Sequence, residues 1–382
     1  MNPIKISSKL PQVGTTIFSV MSALAAEHGA VNLGQGFPDF NCDPRLLDLM
    51  NHAMRAGLNQ YPPMAGVAPL REAIAAKVES LYGRQYDVSS EITVTAGATQ
   101  AIQTALAAIT HAGDEVIIFE PVYDSYEPAI RLNGGIPVYA RLRYPDYKPD
   151  WDEVRALITP RTRAIMINTP HNPTATIWSE ADMRALIAAT RDSNVIVISD
   201  EVYEHIVFDG KQHESVARYP ELAERAFVIS SFGKTYHVTG WKIAYCLAPQ
   251  ELMQEFRKAH QFVVFTVHTP SQYAIAEYMK LATHLDLCVF YQARRDYFLD
   301  RVKTSRFKWM PSAGSYFVSA SYAHLNQHAD VEYARRLVTD LGVASIPVSA
   351  FYHDGEDNKV LRFCFAKKEE TLAKAAEILC KV

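Results

Sequence analysis

The sequence predicts an α/β fold, with a large domain built on a mostly parallel sheet covered by helices and a smaller α+β domain beside it. Three observations carry this. Short β-rich runs alternate with helix-patterned stretches through the middle of the chain, the runs are apolar almost throughout, and the pattern changes after about residue 280. A strand buried on both faces reads as a continuous apolar run, which is how a parallel sheet with helices on both sides appears in sequence.

The runs are EITVT at 91–95, DEVIIF at 114–119, IPVYARL at 136–142, TRAIMIN at 162–168, NVIVIS at 194–199 and AFVISS at 226–231. Helical patterns fall between them at 99–111, 122–133, 151–157 and 179–192. The tail then reads as a helix near 286–304, a strand at SYFVSA, a helix at 330–341, strands VASIP and NKVLRFCFA, and a closing helix from about 367. We expect a large domain over 45–280, and a small one made of 1–44 together with 281–382.

Composition sets the outer limits. The chain has 382 residues, 48% hydrophobic and 21% charged, so disordered, collagen-like and coiled-coil classes are excluded. A formal net charge of −4 provides no basic footprint for nucleic acid and no field for an anionic membrane. Small-molecule partners are expected. The five cysteines form no C-x-x-C pair and read as reduced thiols. The start, MNPIKISSKLPQVG, has charge and proline where a signal peptide needs an apolar core, and no apolar run reaches the length of a membrane span. The expected location is cytoplasmic.

Ligands of open parallel sheets sit beyond the carboxyl ends of the strands. The residues there are Gly97, Ala98 and Thr99 after EITVT, Tyr123 in EPVYDSY, Asn172 in NTPHNPT, Asp200 and Tyr203 in SDEVY, and Ser231 and Lys234 in SSFGKT. Three familiar motifs fail on inspection. FGKT ends like a phosphate-binding loop, but Val228 stands where the first glycine is needed; LGQGFPDF lacks a third glycine and a helix start. His324 and His328 are four apart in a polar stretch, without the acidic partner of a zinc helix, so no metal is expected.

A lysine that condenses with an aldehyde fits better. Such a lysine must be desolvated or set near other cations, and Lys234 follows an apolar strand with Lys242 eight residues on. Alone it would read as a solvated surface charge. Its neighbours change that reading, because they offer what pyridoxal 5'-phosphate needs: the Gly97–Thr99 turn before an amphipathic helix for the phosphate, and Asp200 to keep a proton on the pyridine nitrogen. Tyr203 and Asn172 suit the ring hydroxyl, and Tyr123 is an aromatic cover for the ring. Each has a bland alternative as a helix cap or core aromatic. At successive strand ends, together, they point to one cofactor.

The strings SSFGKTYHVTGWKIAY, NTPHNP and SDEVYEH resemble those of the fold-type-I, class I pyridoxal-phosphate aminotransferases, in the branch holding the kynurenine aminotransferases and a bacterial methionine aminotransferase. The likeness runs from VNLGQGFPDF and LNQYPPMAGVAPLREAIA to VLRFCFAKKEETL. It implies a large domain with a seven-stranded sheet. It also implies that Lys234 is the catalytic, cofactor-bearing lysine, that Asp200 meets the ring nitrogen, and that Tyr203 and Asn172 hold the ring oxygen. Ser231 and Lys242 would join the Gly97–Thr99 turn at the phosphate. Many relatives carry arginine at the position of Lys242, and a point charge there replaces a fork.

By the same resemblance Arg362 binds the substrate α-carboxylate, with Gly36 and Asn172 beside it. Tyr61 would reach the phosphate of the partner subunit, making a homodimer with shared active sites. Phe18, Tyr123 and Phe265 match aromatic pocket positions, which favours apolar or aromatic amino acids: methionine first, then phenylalanine, tyrosine and kynurenine, with a 2-oxo acid as acceptor. The rival on the same cofactor is a cysteine-S-conjugate β-lyase, since both reactions begin at the same carbanion. A cofactor-binding DNA regulator is disfavoured by the lack of a basic segment.

Overall fold

The computed structural model describes Ile4 and residues 6–382. Its main sheet has seven strands, in the order Ile92–Thr95, Ala244–Leu247, Ala226–Ser231, Ile196–Asp200, Thr162–Asn168, Glu115–Glu120, Ile136–Arg141. The last five are mutually parallel, and Ala244–Leu247 runs antiparallel to both its neighbours. All six runs read from the sequence are strands. Ala244–Leu247 is the seventh.

Alternation within each strand divides the core. Val116 and Ile118, Ala164 and Met166, and Phe227 and Ile229 face the cluster built with the helix Ala98–Ile109. Ile117 and Phe119, Ile165 and Ile167, and Val228 point the other way, toward Leu70, Ile74, Leu186 and Ile275. Both faces are covered, so strands such as Glu115–Glu120 and Ala226–Ser231 are buried at every position. The edge strand Ile136–Arg141 is buried only in part. Helices at Pro44–Arg55, Ala68–Tyr82, Gln250–Val263 and Thr269–Met279 lie where none was assigned from the sequence.

A second sheet has four antiparallel strands, Ile346–Pro347, Val360–Cys364, Phe317–Ser321 and Lys308–Trp309. The run VASIP is not one strand. Ser345 separates Val343–Ala344, which pairs in parallel with Val31–Asn32, from Ile346–Pro347, which joins the four-stranded sheet. The first helix, Ile17–Glu27, is capped by the Thr16 hydroxyl, which accepts from Ser19 N. It puts Met21 and Ala25 into one apolar cluster with Phe298, Phe317, Leu361 and Leu379. The helix expected over 330–341 is α-helical for Asp330–Arg336, then widens into a π turn over Leu337–Leu341 that ends at Gly342, with φ +87°. Among the described residues no helix is long and apolar enough to cross a membrane.

Candidate active site

The carboxyl ends of the parallel strands open onto a cavity of about 280 Å³ between the two sheets. Asp200 and Ser231 are the last residues of their strands, and Lys234 lies in the helical turn Phe232–Thr235 immediately after one. Gly97, Ala98, Thr99, Tyr123, Asn172, Tyr203 and Lys242 line the same space. Arg362 enters from the four-stranded sheet, Phe18 from the first helix and Gly36 from the loop after Val31–Asn32.

Lys234 is partly buried, and its Nζ donates to Gly36 O at 3.0 Å and to Tyr316 Oη at 2.7 Å. Burial pushes the ammonium down to about 8, helped by the cations of Arg362 and Lys242 and opposed by Cys364 and Asp200. A lysine in that range keeps a working fraction of neutral amine near physiological pH, which a nucleophile for an aldehyde requires.

Asp200 is pushed the other way. Burial raises its carboxyl to about 6, although Tyr126 Oη and Val202 N both donate to it. Both donors are neutral, so the carboxylate is left to meet a cationic N–H from the cavity. The backbone here is two-sided. Asp200 and Tyr203 face the cavity, whereas Glu201 accepts from Ser199 Oγ at 2.7 Å and Val216 N at 3.0 Å, and contacts His213 Nε2 at 2.8 Å. Glu204 accepts from Lys77 Nζ and Tyr82 Oη, each at 2.6 Å, and from Tyr245 Oη at 3.0 Å.

Gly97 is the N-cap of Ala98–Ile109, with φ +82°. A Cβ there would stand 2.9 Å from Lys242 Cε and 3.0 Å from its Nζ, so the lysine lies directly over the turn. The amides of a helix start, an ammonium and the Ser231 hydroxyl together suit a phosphate dianion. Lys242 holds this place with a left-handed backbone, φ 56° and ψ 48°.

Arg362 is 1% exposed. Its Nη1 donates to Asn172 Oδ1 at 2.6 Å and its Nη2 to Gly34 O at 2.8 Å, while Nε has no partner among the described residues. The Phe317 ring centroid lies 4.0 Å from the guanidinium carbon and that of Phe18 5.1 Å. A buried guanidinium held by neutral oxygens and aromatic faces is complementary to a carboxylate. Tyr123 lies partly buried beside it, its phenol pushed up to about 12 by desolvation, and stays a neutral donor. Burial also holds the Tyr203 phenol above its ordinary value. These residues fit pyridoxal 5'-phosphate and an amino acid together.

Two of the expected residues do not line this cavity: Phe265, expected in the aromatic pocket and 44% exposed, and Tyr61, expected to reach the partner's site and 82% exposed, meet edge to face at 5.5 Å, Tyr61 lining a separate surface hollow. Other contributors were missed in the sequence. Tyr126, Tyr316, Phe317 and Lys367 act across separations in sequence that no local pattern marks, such as the 82 positions between Lys234 and Tyr316. Glu120, His353 and Asp354 bring three potential ligand atoms together, but Arg141 already sits among them, 3.0 Å from Glu120 and 2.7 Å from Asp354.

Known proteins agree with this geometry. The methionine aminotransferase of Escherichia coli (strain K12) is 50% identical over 380 residues, spanning 99% of this chain and 98% of its own. A crystal structure of an Escherichia coli protein identified as a methionine aminotransferase matches with a TM-score of 0.98 at 49% identity, covering 100% of both chains. The N-succinyldiaminopimelate aminotransferase structure from Mycobacterium tuberculosis gives 0.95 at 40% identity, over 99% of this chain and 100% of that one. Kynurenine–oxoglutarate transaminase 1 of Homo sapiens is 34% identical, with 94% of this chain and 93% of that protein covered. The family model for aminotransferase class I and II matches residues 29–379. With a lysine, a carboxylate and an arginine converging as this chemistry requires, the chain belongs to the class I and II aminotransferases.

Proposed function

We propose that the protein transfers the amino group of methionine, and of phenylalanine, tyrosine and kynurenine, to a 2-oxo acid by a ping-pong reaction with pyridoxal 5'-phosphate. The observation that carries this reading is Arg362, a buried guanidinium with only neutral partners, facing the Lys234 amine across one cavity. The named relatives, which include methionine and kynurenine enzymes, support the same substrate range.

When bound, the cofactor supplies an aldehyde for the amino group and a ring that acidifies the Cα–H bond. Lys234 would hold it in the resting enzyme, Gly97, Ala98, Thr99, Ser231 and Lys242 would bind its phosphate, Asp200 would keep a proton at the ring nitrogen, and Tyr203 and Asn172 would hold the ring oxygen. Arg362 fixes the substrate carboxylate, and so orients Cα. Lys234 Nζ would take the Cα proton of the donor as general base and, in the reverse half-reaction, return a proton to Cα of the second substrate as general acid. A Cβ on Gly36 would stand 2.9 Å from Phe317 Cζ, so only glycine lets the loop close over this space. Phe18, Tyr123 and Phe317 offer apolar and aromatic surface to the substrate side chain.

The large domain, on this reading, comprises residues 45–280, and 1–44, of which 1–3 and 5 lie outside the described residues, with 281–382 form the domain that carries Arg362. A homodimer is supported by Tyr61, Phe265 and Phe262, the last 86% exposed, which leave aromatic surface uncovered on one face. Across such an interface Tyr61 and Phe265 would complete the partner's site. Five free thiols support a cytoplasmic location.

The test is a donor screen with purified holoenzyme and a 2-oxo acid acceptor. Methionine should give its oxo acid in amounts equal to the acceptor aminated. Release of pyruvate and ammonia from cysteine conjugates without an acceptor, and no transfer, would make it a β-lyase.

A further inference from the structure

The segment Gly34–Phe37 passes the cavity with each of its four carbonyls on a cation. Gly34 O accepts from Arg362 Nη2 at 2.8 Å and Gly36 O from Lys234 Nζ at 3.0 Å. Gln35 O and Phe37 O accept instead from Lys367 Nζ, at 3.3 and 2.7 Å. Lys367 belongs to a different hollow and is only 3% exposed. Among the described residues its Nζ meets these two carbonyls and the face of Phe37, 5.1 Å from the ring centroid. A buried lysine without a carboxylate is costly, so its place at this loop calls for a reason.

Tyr316 closes the arrangement. Lys234 Nζ donates to Tyr316 Oη at 2.7 Å, and the Tyr316 hydroxyl donates in turn to Gly36 O. Amine, phenol and carbonyl form a closed triangle. Only an amine with protons to give makes two such donations, so these are contacts of Lys234 when it is free.

We propose that Gly36 O and Tyr316 Oη form the berth of the Lys234 amine while it is released from the cofactor, and that Lys367 is a positioning residue holding that berth from behind. The proposal rests on the role given to Lys234 above. Its chemical purpose lies in the surroundings. Arg362, Lys242, Asp200, Cys364, Tyr203 and Tyr316 are the titratable and charged groups around Lys234, and the two cations oppose its protonation. Two oxygen acceptors favour the ammonium and fix the nitrogen in place, so that the proton taken from a substrate is held at a defined position.

The experiment uses holoenzyme carrying pyridoxamine 5'-phosphate, in which Lys234 is free. Acetic anhydride labels the neutral amine, and mass spectrometry of the Lys234 peptide gives its apparent pKa from the pH dependence. In Tyr316→Phe that pKa should fall by about one unit, because the ammonium loses an acceptor. Lys367→Met discriminates by sign. Removing a cation alone would raise the value, whereas a loosened Gly36 carbonyl lowers it, and a fall is expected. Unchanged profiles in both variants, or a rise in Lys367→Met, would overturn the berth. Labelling of Lys234 as fast in pyridoxal-loaded as in pyridoxamine-loaded wild type would overturn the cofactor role itself, a separate failure.

Discussion

The Arg362 guanidinium is joined to the Asn172 amide oxygen at 2.6 Å, a bond that links the four-stranded sheet to the loop after Thr162–Asn168. A neutral acceptor orients the fork without cancelling its charge. Arg362→Lys keeps the charge and loses the paired geometry. We expect kcat/KM for methionine to fall about 100-fold, with most substrate contacts otherwise intact. Steady-state kinetics will decide; a variant with wild-type kcat/KM would remove Arg362 from carboxylate binding.

Asp200 weakens the cofactor-free fold that it serves. Burial raises its carboxyl from 3.8 to about 6, so the folded protein holds the proton at pH values where the unfolded chain has lost it. Stability therefore falls as pH rises through that window, and the full penalty stands above it, on the order of 3 kcal/mol for two units. Asp200→Asn should raise the Tm of the cofactor-free protein at pH 8, give no gain below pH 4, and reduce turnover by orders of magnitude. Thermal melts at the two pH values check the sign.

Capture of the cofactor should follow the Lys234 amine. With the ammonium pushed down to about 8, the rate of holoenzyme formation should climb roughly tenfold per pH unit below that value and level above it. Stopped-flow absorbance measures this directly. Lys234→Ala should form no covalent cofactor complex at any pH and show no turnover.

The buried pair Lys77–Glu204, at 2.6 Å, lies behind Tyr203. Lys77→Met strands the carboxylate and should cost about 3–5 kcal/mol in denaturant unfolding. Adding Glu204→Gln should recover most of that loss. If the double variant is no more stable than the single one, the cost is not electrostatic.

The proposed sharing of active sites predicts complementation. Lys234→Ala and Tyr61→Ala chains, each inactive alone, would pair on co-expression into hybrids with one intact site. Random pairing gives about a quarter of wild-type activity. Complete absence of activity in isolated hybrids would place Tyr61 outside the partner's site.

Much of this architecture is legible in sequence because burial on both faces leaves a continuous apolar signature. Glu115–Glu120 and Ala226–Ser231 show it plainly. Ala244–Leu247 does not, since it begins within the SSFGKTYHVTGWKIAY string and is not set off as a separate run. Lys234, Asp200 and Asn172 line the cavity that strand ends mark in an open sheet, so their convergence is legible in sequence. Tyr126 was not, for its hydroxyl meets Asp200 across 74 positions, and only the fold connects them. Phe265 illustrates the remaining gap: a resemblance assigns it to a pocket, but within one chain it packs on Tyr61 at the surface.

Lys234 stands on the seven-stranded sheet and Arg362 on the four-stranded one. On the proposed reading a bound amino acid spans two bodies, carboxylate on one and reacting carbon on the other, and the gap between the sheets acts as a gauge. That span is one bond in every α-amino acid, whatever its side chain. A β- or γ-amino acid inserts extra carbons into it, so its reacting carbon lies out of register with Lys234 Nζ when its carboxylate is seated. The division into two sheets would thereby separate two selections: the spacing would admit the α-amino acid class, and the aromatic walls would choose among its members.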